Sequence, residues 1–229
     1  MGYDEPSNDD VPSHAEAIGH VRNSAQLARD HASAALYVAE HDQQVVAVGE
    51  PAPLFVLPDG QGVPVALEAL LGKGALVVTF YRGIWCPYCN QQLLAYQRAL
   101  PTFRRAGGEL LAISPQLPDA TAETVVTNRL AFRVLSDVGN VVAEQFGLVV
   151  KFSPELRARY LSWDVDLAAF NGDASWELPL AATFILDRRG MVRQRFISAD
   201  PTVRMKPAAV LAVLRALQAE PHAAEQGQT

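Results

Sequence analysis

The chain contains two cysteines, Cys86 and Cys89, three apart in the run Trp85-Cys86-Pro87-Tyr88-Cys89. A pair so close cannot pin distant parts of a small fold together, so the spacing points to chemistry. The nucleophile of disulfide and peroxide chemistry is the thiolate. The apolar, β-branched run Ala75 to Tyr81 predicts a strand buried on both faces, and a helix follows the turn after it. Pro87 suits the first helical position, where its missing N–H leaves nothing unpaired. Cys86 is then the N-cap and Cys89 lies in the first turn. There free N–H groups and the helix dipole favour negative charge, and both thiol pKa values are expected to fall. A fall from about 8.5 to about 6.5 raises the thiolate fraction at pH 7 from roughly 3% to roughly 75%. A sulfenic acid or mixed disulfide on one sulfur can be resolved by the other. The N-cap sulfur is expected to be the more exposed, and Cys89 partly buried.

Two other readings are open to a Cys-x-x-Cys pair. Half of a zinc site would need two further ligands. No second cysteine pair exists, and the histidines at 14, 20, 31, 41 and 222 lie in the amino-terminal helix region and the tail, where they are expected to face solvent. Two inert core cysteines are the other possibility. No metal, nucleotide or other cofactor is expected, because the chain lacks a full ligand set and a glycine-rich loop opening a helix; Gly107-Gly108 ends one.

The elements that must hold the pair form a β-α-β-α rhythm, which predicts an α/β fold. Residues 1–12 read as a disordered tail. Residues 13–47 read as a helical extension with an alanine-rich stripe that would pack on the main domain or on a second subunit, as in a homodimer. The main domain spans 48–219, followed by a tail over 220–229. It opens with a β-hairpin, Leu54 to Leu57 and Val63 to Val65. After the cysteine motif, Cys89, Leu93, Tyr96, Leu100 and Phe103 keep helical spacing, with a kink expected at Pro101. Strands are expected at 110–113 and 132–135, and helices over 120–128 and 138–146. A looser stretch covers 151–178. A hairpin over 183–186 and 192–197 and a terminal helix over 207–219 complete the domain.

Composition sets the surroundings. Hydrophobic residues make up 49% of the 229, enough for a packed core without staples. Net charge is −6, and Lys and Arg form no stripe that could neutralise a phosphate backbone, so nucleic acid is not expected as a partner. The acidic, polar start does not read as a secretory signal, and no apolar run nears the roughly 20 residues of a membrane span. A cytoplasmic protein that binds no membrane is expected.

The run Phe80-Tyr81-Arg82-Gly83-Ile84-Trp85-Cys86-Pro87-Tyr88-Cys89 resembles the active-site segment of the peroxiredoxin-like branch of the alkyl hydroperoxide reductase and thiol-specific antioxidant (AhpC/TSA) family. The likeness extends through Gly49-Glu50-Pro51-Ala52-Pro53, Ala112-Ile113-Ser114-Pro115, Leu135-Ser136-Asp137, Phe146-Gly147-Leu148 and Thr183-Phe184-Ile185-Leu186-Asp187, across most of 49–206. It implies a thioredoxin-like fold, a central mixed sheet flanked by helices. The implied activity is thiol-dependent reduction of hydrogen peroxide or organic hydroperoxides through a Cys86–Cys89 disulfide. The implied reductant is of the thioredoxin, glutaredoxin or glutathione type. Tyr81, Trp85 and Pro87 would support the motif.

On the family's frame Arg82 takes the place of a proline, Cys86 of a threonine, and Cys89 of the peroxide-reactive cysteine. The same residues are also similar to a thioredoxin motif, in which Cys86 would attack first. We expect Cys89 to meet peroxide and Cys86 to exchange with the reductant. Where typical peroxiredoxins have a further arginine and thioredoxin-like relatives a cis-proline, this chain has Ala181. Arg82 could replace the missing charge beside sulfur or form a surface ion pair. A disulfide oxidoreductase and a non-enzymatic redox sensor remain the alternative functions.

Overall fold

The computed structural model describes residues 42–220. The tail 1–12, nearly all of the helix expected over 13–47, and the tail after Glu220 lie outside them. In 42–47 the chain makes a single 3-10 turn, Asp42–Gln44, before Val45 enters the core.

Strand β1 (Val56–Pro58) pairs antiparallel with β2 (Pro64–Ala66), Leu57 opposite Val65. Asp59 holds the turn between them, its Oδ1 accepting from the N–H groups of Gln61 and Val63 at 2.9 and 3.0 Å. Helix α1 (Leu67–Leu71) leads to β3 (Ala75–Phe80), buried at every position. Next come α2 (Pro87–Arg105), β4 (Gly108–Ser114), α3 (Pro118–Thr127) and β5 (Arg133–Ser136). Pro101 stands inside α2 without ending it. Gly108 opens β4 against Leu214, at a place where a Cβ would come within 2.6 Å of a leucine methyl.

The helix expected over 138–146 is instead a 3-10 turn, Val138–Asn140, and a short α4 (Val141–Gln145). Gly139 and Asn140 both take positive φ and break it, while the Asp137 carboxylate accepts from the N–H groups of Val142 and Ala143. The stretch 151–178 is also more ordered than its composition indicates. β6 (Val149–Lys151) leads to α5 (Pro154–Leu161), capped by the Ser153 hydroxyl, and α6 (Leu167–Asn171), capped by Asp166; β7 (Glu177–Pro179) returns antiparallel to β6.

β8 (Ala181–Leu186) and β9 (Val192–Ser198) form the expected hairpin, and α7 (Pro207–Ala219) follows. The main sheet has the order β5-β4-β3-β8-β9, with β3, β4 and β5 parallel and β8 antiparallel to both of its neighbours, β3 and β9. Alternation along β3 feeds two cores. Leu76, Val78 and Phe80 join Leu111, Ile113, Phe146 and Phe184 on one face; Val77 and Tyr81 join Leu93, Tyr96 and Phe103 on the other.

Candidate active site

The central strand β3 delivers the chain to the start of α2, and Tyr81 is tied to the sheet by its N–H to the Ile113 carbonyl at 3.0 Å. Burial pushes the Tyr81 phenol up to about 12, so it stays protonated, and Gln116 donates to its oxygen at 3.3 Å. The turn over 82–86 is shaped by side chains from other elements. Gln116 accepts the Ile84 N–H at 2.7 Å, and Asn90 donates to the Ile84 carbonyl while accepting from Asn128. Gly83 has φ 151°, and a Cβ there would collide with the Trp85 indole nitrogen and meet Gln116 at 3.0 Å. Glycine is therefore needed for both dihedral and space.

Cys86 is the N-cap and Pro87 the first helical residue, as the sequence indicates. The Cys86 carbonyl accepts from Cys89 N–H and Asn90 N–H, both at 3.1 Å. The two sulfurs lie 2.9 Å apart, close enough to share one thiol proton. Both cysteines have 0% exposure, so the expectation that the N-cap sulfur is the more open of the two fails. Both cysteines belong to one core cluster, with Trp85 and Tyr88 packed against it.

Arg82 reaches back over this terminus. Its Nη2 donates to Cys86 Sγ at 3.1 Å, and its backbone N–H points at Cys89 Sγ at 3.5 Å. Its Nη1 donates to the Tyr160 hydroxyl at 3.0 Å, and its guanidinium lies 5.4 Å from the centre of the Trp85 ring. Trp85 meets Tyr160 edge to face, with centroids 5.6 Å apart. The surface ion pair open to Arg82 is replaced by a sulfur, a phenol and an indole. The phenol comes from α5, inside the stretch that reads as loose.

Arg204 supplies a second cation: its Nη2 lies 3.5 Å from Cys89 Sγ. It sits in the connection between β9 and α7, which is anchored next door where Tyr96 donates to the Met205 carbonyl at 2.9 Å. Tyr96 belongs to a buried polar group with Gln92, Thr79 and Thr183. Among the described residues, Arg82 Nε, Arg204 Nε and Trp85 Nε1 are buried without a hydrogen-bond partner.

The charges divide the two thiols. Either sulfur can donate the shared proton on geometry alone, since an S–H rotates freely. Burial pushes Cys89 up, but the Cys86 thiol, both guanidinium groups and the Arg82 N–H outweigh it and hold Cys89 well below the ordinary thiol range. Burial and the proton it shares with Cys89 push Cys86 well above that range despite Arg82. The joint fall expected from the helix terminus is thus replaced by a split: two sulfurs this close do not both ionise, and the one with more donors takes the charge.

Of the residues singled out in the sequence, Cys86, Cys89, Arg82, Trp85 and Pro87 converge here, and Tyr81 stands behind them. Arg204, Tyr160, Gln116 and Asn90 were missed. Arg204 lies 115 residues from Cys89 and Tyr160 lies 78 from Arg82, separations that carry no local pattern. The Ser153-Pro154 start of α5 was the one available signal, an N-cap followed by proline.

The sheet order, together with a dithiol at the start of the helix after the central strand, defines a thioredoxin-like thiol protein. Residues 48–195 match the profile of the AhpC/TSA family, and the chain belongs to that family. It is 29% identical over 148 residues to the chloroplastic peroxiredoxin Q of Sedum lineare, covering 65% of this chain and 67% of that one. It is 28% identical over 145 residues to the peroxiredoxin Q of Populus jackii, where it spans 57% of the relative's length. In fold it is similar to the peroxidoxin BcpB of Mycobacterium tuberculosis, with a TM-score of 0.59 at 23% identity, over 75% of this chain and 97% of that one.

Proposed function

We propose that this protein is a thiol peroxidase in which Cys89 is the peroxide-reactive sulfur and Cys86 the resolving one. The carrying observation is the Cys89 sulfur set between the Cys86 thiol, the Arg82 N–H and the Arg204 guanidinium. The Cys89 thiolate attacks one peroxide oxygen, the O–O bond breaks, and the other oxygen leaves as an alkoxide or hydroxide that takes up a proton. Cys89 becomes a sulfenic acid. Cys86, with Arg82 at 3.1 Å favouring its ionised form, then attacks Cys89 Sγ; water leaves and the disulfide forms. A 2.9 Å starting separation requires no unfolding of α2 for that bond.

An external thiol reductant of the thioredoxin, glutaredoxin or glutathione type returns the pair to the dithiol, entering at Cys86. Membership in the AhpC/TSA family supports the peroxidase reading over disulfide exchange alone. A cytoplasmic setting is part of the proposal, supported by cysteine usage confined to one closely spaced pair rather than a disulfide framework.

Sulfenic-acid trapping after one pulse of hydrogen peroxide tests the assignment. Cys86→Ser should be labelled at Cys89 and stay labelled, while Cys89→Ser should lose peroxide consumption, a drop on the order of a thousandfold or more. Labelling of Cys86 in Cys89→Ser, with none at Cys89 in Cys86→Ser, would reverse the roles.

A further inference from the structure

Both cysteines have 0% exposure, so part of the protein must move before any reagent from solvent meets sulfur. The two helices that meet at the site are held very differently. Helix α2 buries Cys89, Leu93, Tyr96, Leu100 and Phe103 in the core beside the main sheet. Helix α5 buries Tyr160 alone among its eight residues, while Glu155, Arg157, Ala158 and Leu161 are exposed. Tyr160 belongs to a separate apolar cluster with Leu167, Trp176 and Leu178. Among the described residues, Trp85 is the one side chain packed against both that cluster and the core around the sulfurs. α5 meets the dithiol through its last turn, where the Tyr160 hydroxyl accepts from Arg82 at 3.0 Å and the Tyr160 ring stands edge-on to Trp85. Arg82 in turn reaches Cys86. The elements on either side of α5 are fixed. β6 is laddered to β7, and late in α6 the Phe170 carbonyl accepts from Leu117 N–H at 3.0 Å. Gly172, at the end of α6, lies where a Cβ would come within 2.7 Å of the Leu117 side chain. Local opening is cheapest where few apolar contacts are buried, and over the sulfurs that place is α5.

We propose that α5 is a lid on the Cys86–Cys89 pair, hinged at its two flanking cap residues, Ser153 and Asp166, and that it swings away to admit reagents to sulfur. Ser153 follows β6 and Asp166 opens α6, so each hinge borders an element that is held. Opening parts Tyr160 from Arg82 and Trp85 and leaves α2 and the main sheet in place. In the closed form Tyr160 is a positioning residue, fixing the guanidinium that contacts Cys86. Opening therefore uncovers the sulfurs and frees Arg82 in one motion. The inference adds a step of access before any chemistry at the pair and does not depend on which oxidant then reacts.

The reduced full chain is alkylated with iodoacetamide dilute enough that the lid recloses faster than sulfur reacts, so that the rate follows the open population. Ala158→Gly weakens α5 at an exposed position, and Ser153→Ala removes its N-cap bond to Leu156 N–H. Neither side chain belongs to the site, and substitutions at exposed positions keep the fold. Each should raise alkylation of the pair about fivefold and amide exchange over 156–162 by the same factor. Ala216→Gly, the same change at an exposed position of α7, should alter alkylation less than about twofold. Faster exchange with unchanged alkylation would place the entry route elsewhere. Exchange that does not rise in either α5 variant would mean that α5 does not open as a unit. An equal rise in Ala216→Gly would mean that the sulfurs are reached by general unfolding. Any one of these three results overturns the proposal. Because no arm contains peroxide, failure here leaves the peroxidase reading intact, and a protein inert to peroxide can still pass.

Discussion

The two faces of the main sheet are built from the same strands and do different work. On one, Leu76, Val78 and Phe80 of β3 meet Leu111, Ile113 and Phe184, with the Phe146 ring tilted against Phe80 and edge-on to Phe184 at centroid distances of 5.0 and 4.9 Å. On the other, the intervening residues of β3 and β8 include Thr79 and Thr183, whose hydroxyls meet each other and the Gln92 and Tyr96 side chains of α2. Apolar burial of about 1.5–3 kcal/mol per large side chain accounts for the first face. The second face buries polar and charged groups that must find partners, so its geometry is specified by hydrogen bonds, and there the sulfurs sit. The reactive sulfurs are thus kept apart from the wholly apolar core: both faces bury an apolar cluster, and the second also carries the sulfurs and the polar group beside them.

The separation is most severely tested by cutting a cavity in the apolar face. Phe184→Ala should lower stability by about 3–5 kcal/mol in urea unfolding, while the rate of peroxide reaction per folded molecule changes less than about twofold. A parallel collapse of that rate in molecules that remain folded would show the two faces to be one unit.

The reactive face is tested more gently through Tyr160. Tyr160→Phe keeps the edge-to-face packing on Trp85 and removes the hydroxyl that receives Arg82. Loss of one charged hydrogen bond at a partly buried site should slow closure of the disulfide about fivefold in rapid-mixing experiments, with a melting temperature within a few degrees of the parent. An unaltered closure rate would place the aromatic cluster with the inert face.

The smallest effect is expected from pH. An ordinary thiol loses most of its thiolate, roughly eightfold, between pH 8 and 7. Cys89 is depressed, so its charged, reactive form persists through that window and is lost only as pH falls through its lowered value. In the Cys86→Ser chain, Arg82, Arg204 and the Arg82 N–H remain to hold that charge, and alkylation of Cys89 should change less than about twofold from pH 8 to 7. An eightfold fall would mean that the Cys86 proton, rather than the cations, holds the charge.

Legibility in the sequence followed how local each determinant was. Strand β3, the N-cap at Cys86, Pro87 at the first helical position and the β8–β9 hairpin rest on periods and caps within a few residues, and the structure has them where those patterns lie. The helix over 138–146 failed because Gly139 and Asn140 adopt left-handed dihedrals inside an apolar run that otherwise keeps helical spacing. The 151–178 stretch failed because its helices are short, five and eight residues, so their periodicity is too brief to stand out from a loop.

Within the site the same division holds. Sequence by itself determined that two thiols share a helix start behind a buried strand, because residue spacing along one helix cannot be changed by packing. Only the tertiary structure decided which sulfur carries the charge. That choice depends on Arg204, brought in by the turn between β9 and α7, and on burial that covers both sulfurs equally. Electrostatic effects of this kind depend on distance through space and on exclusion of water, and chain separation encodes neither.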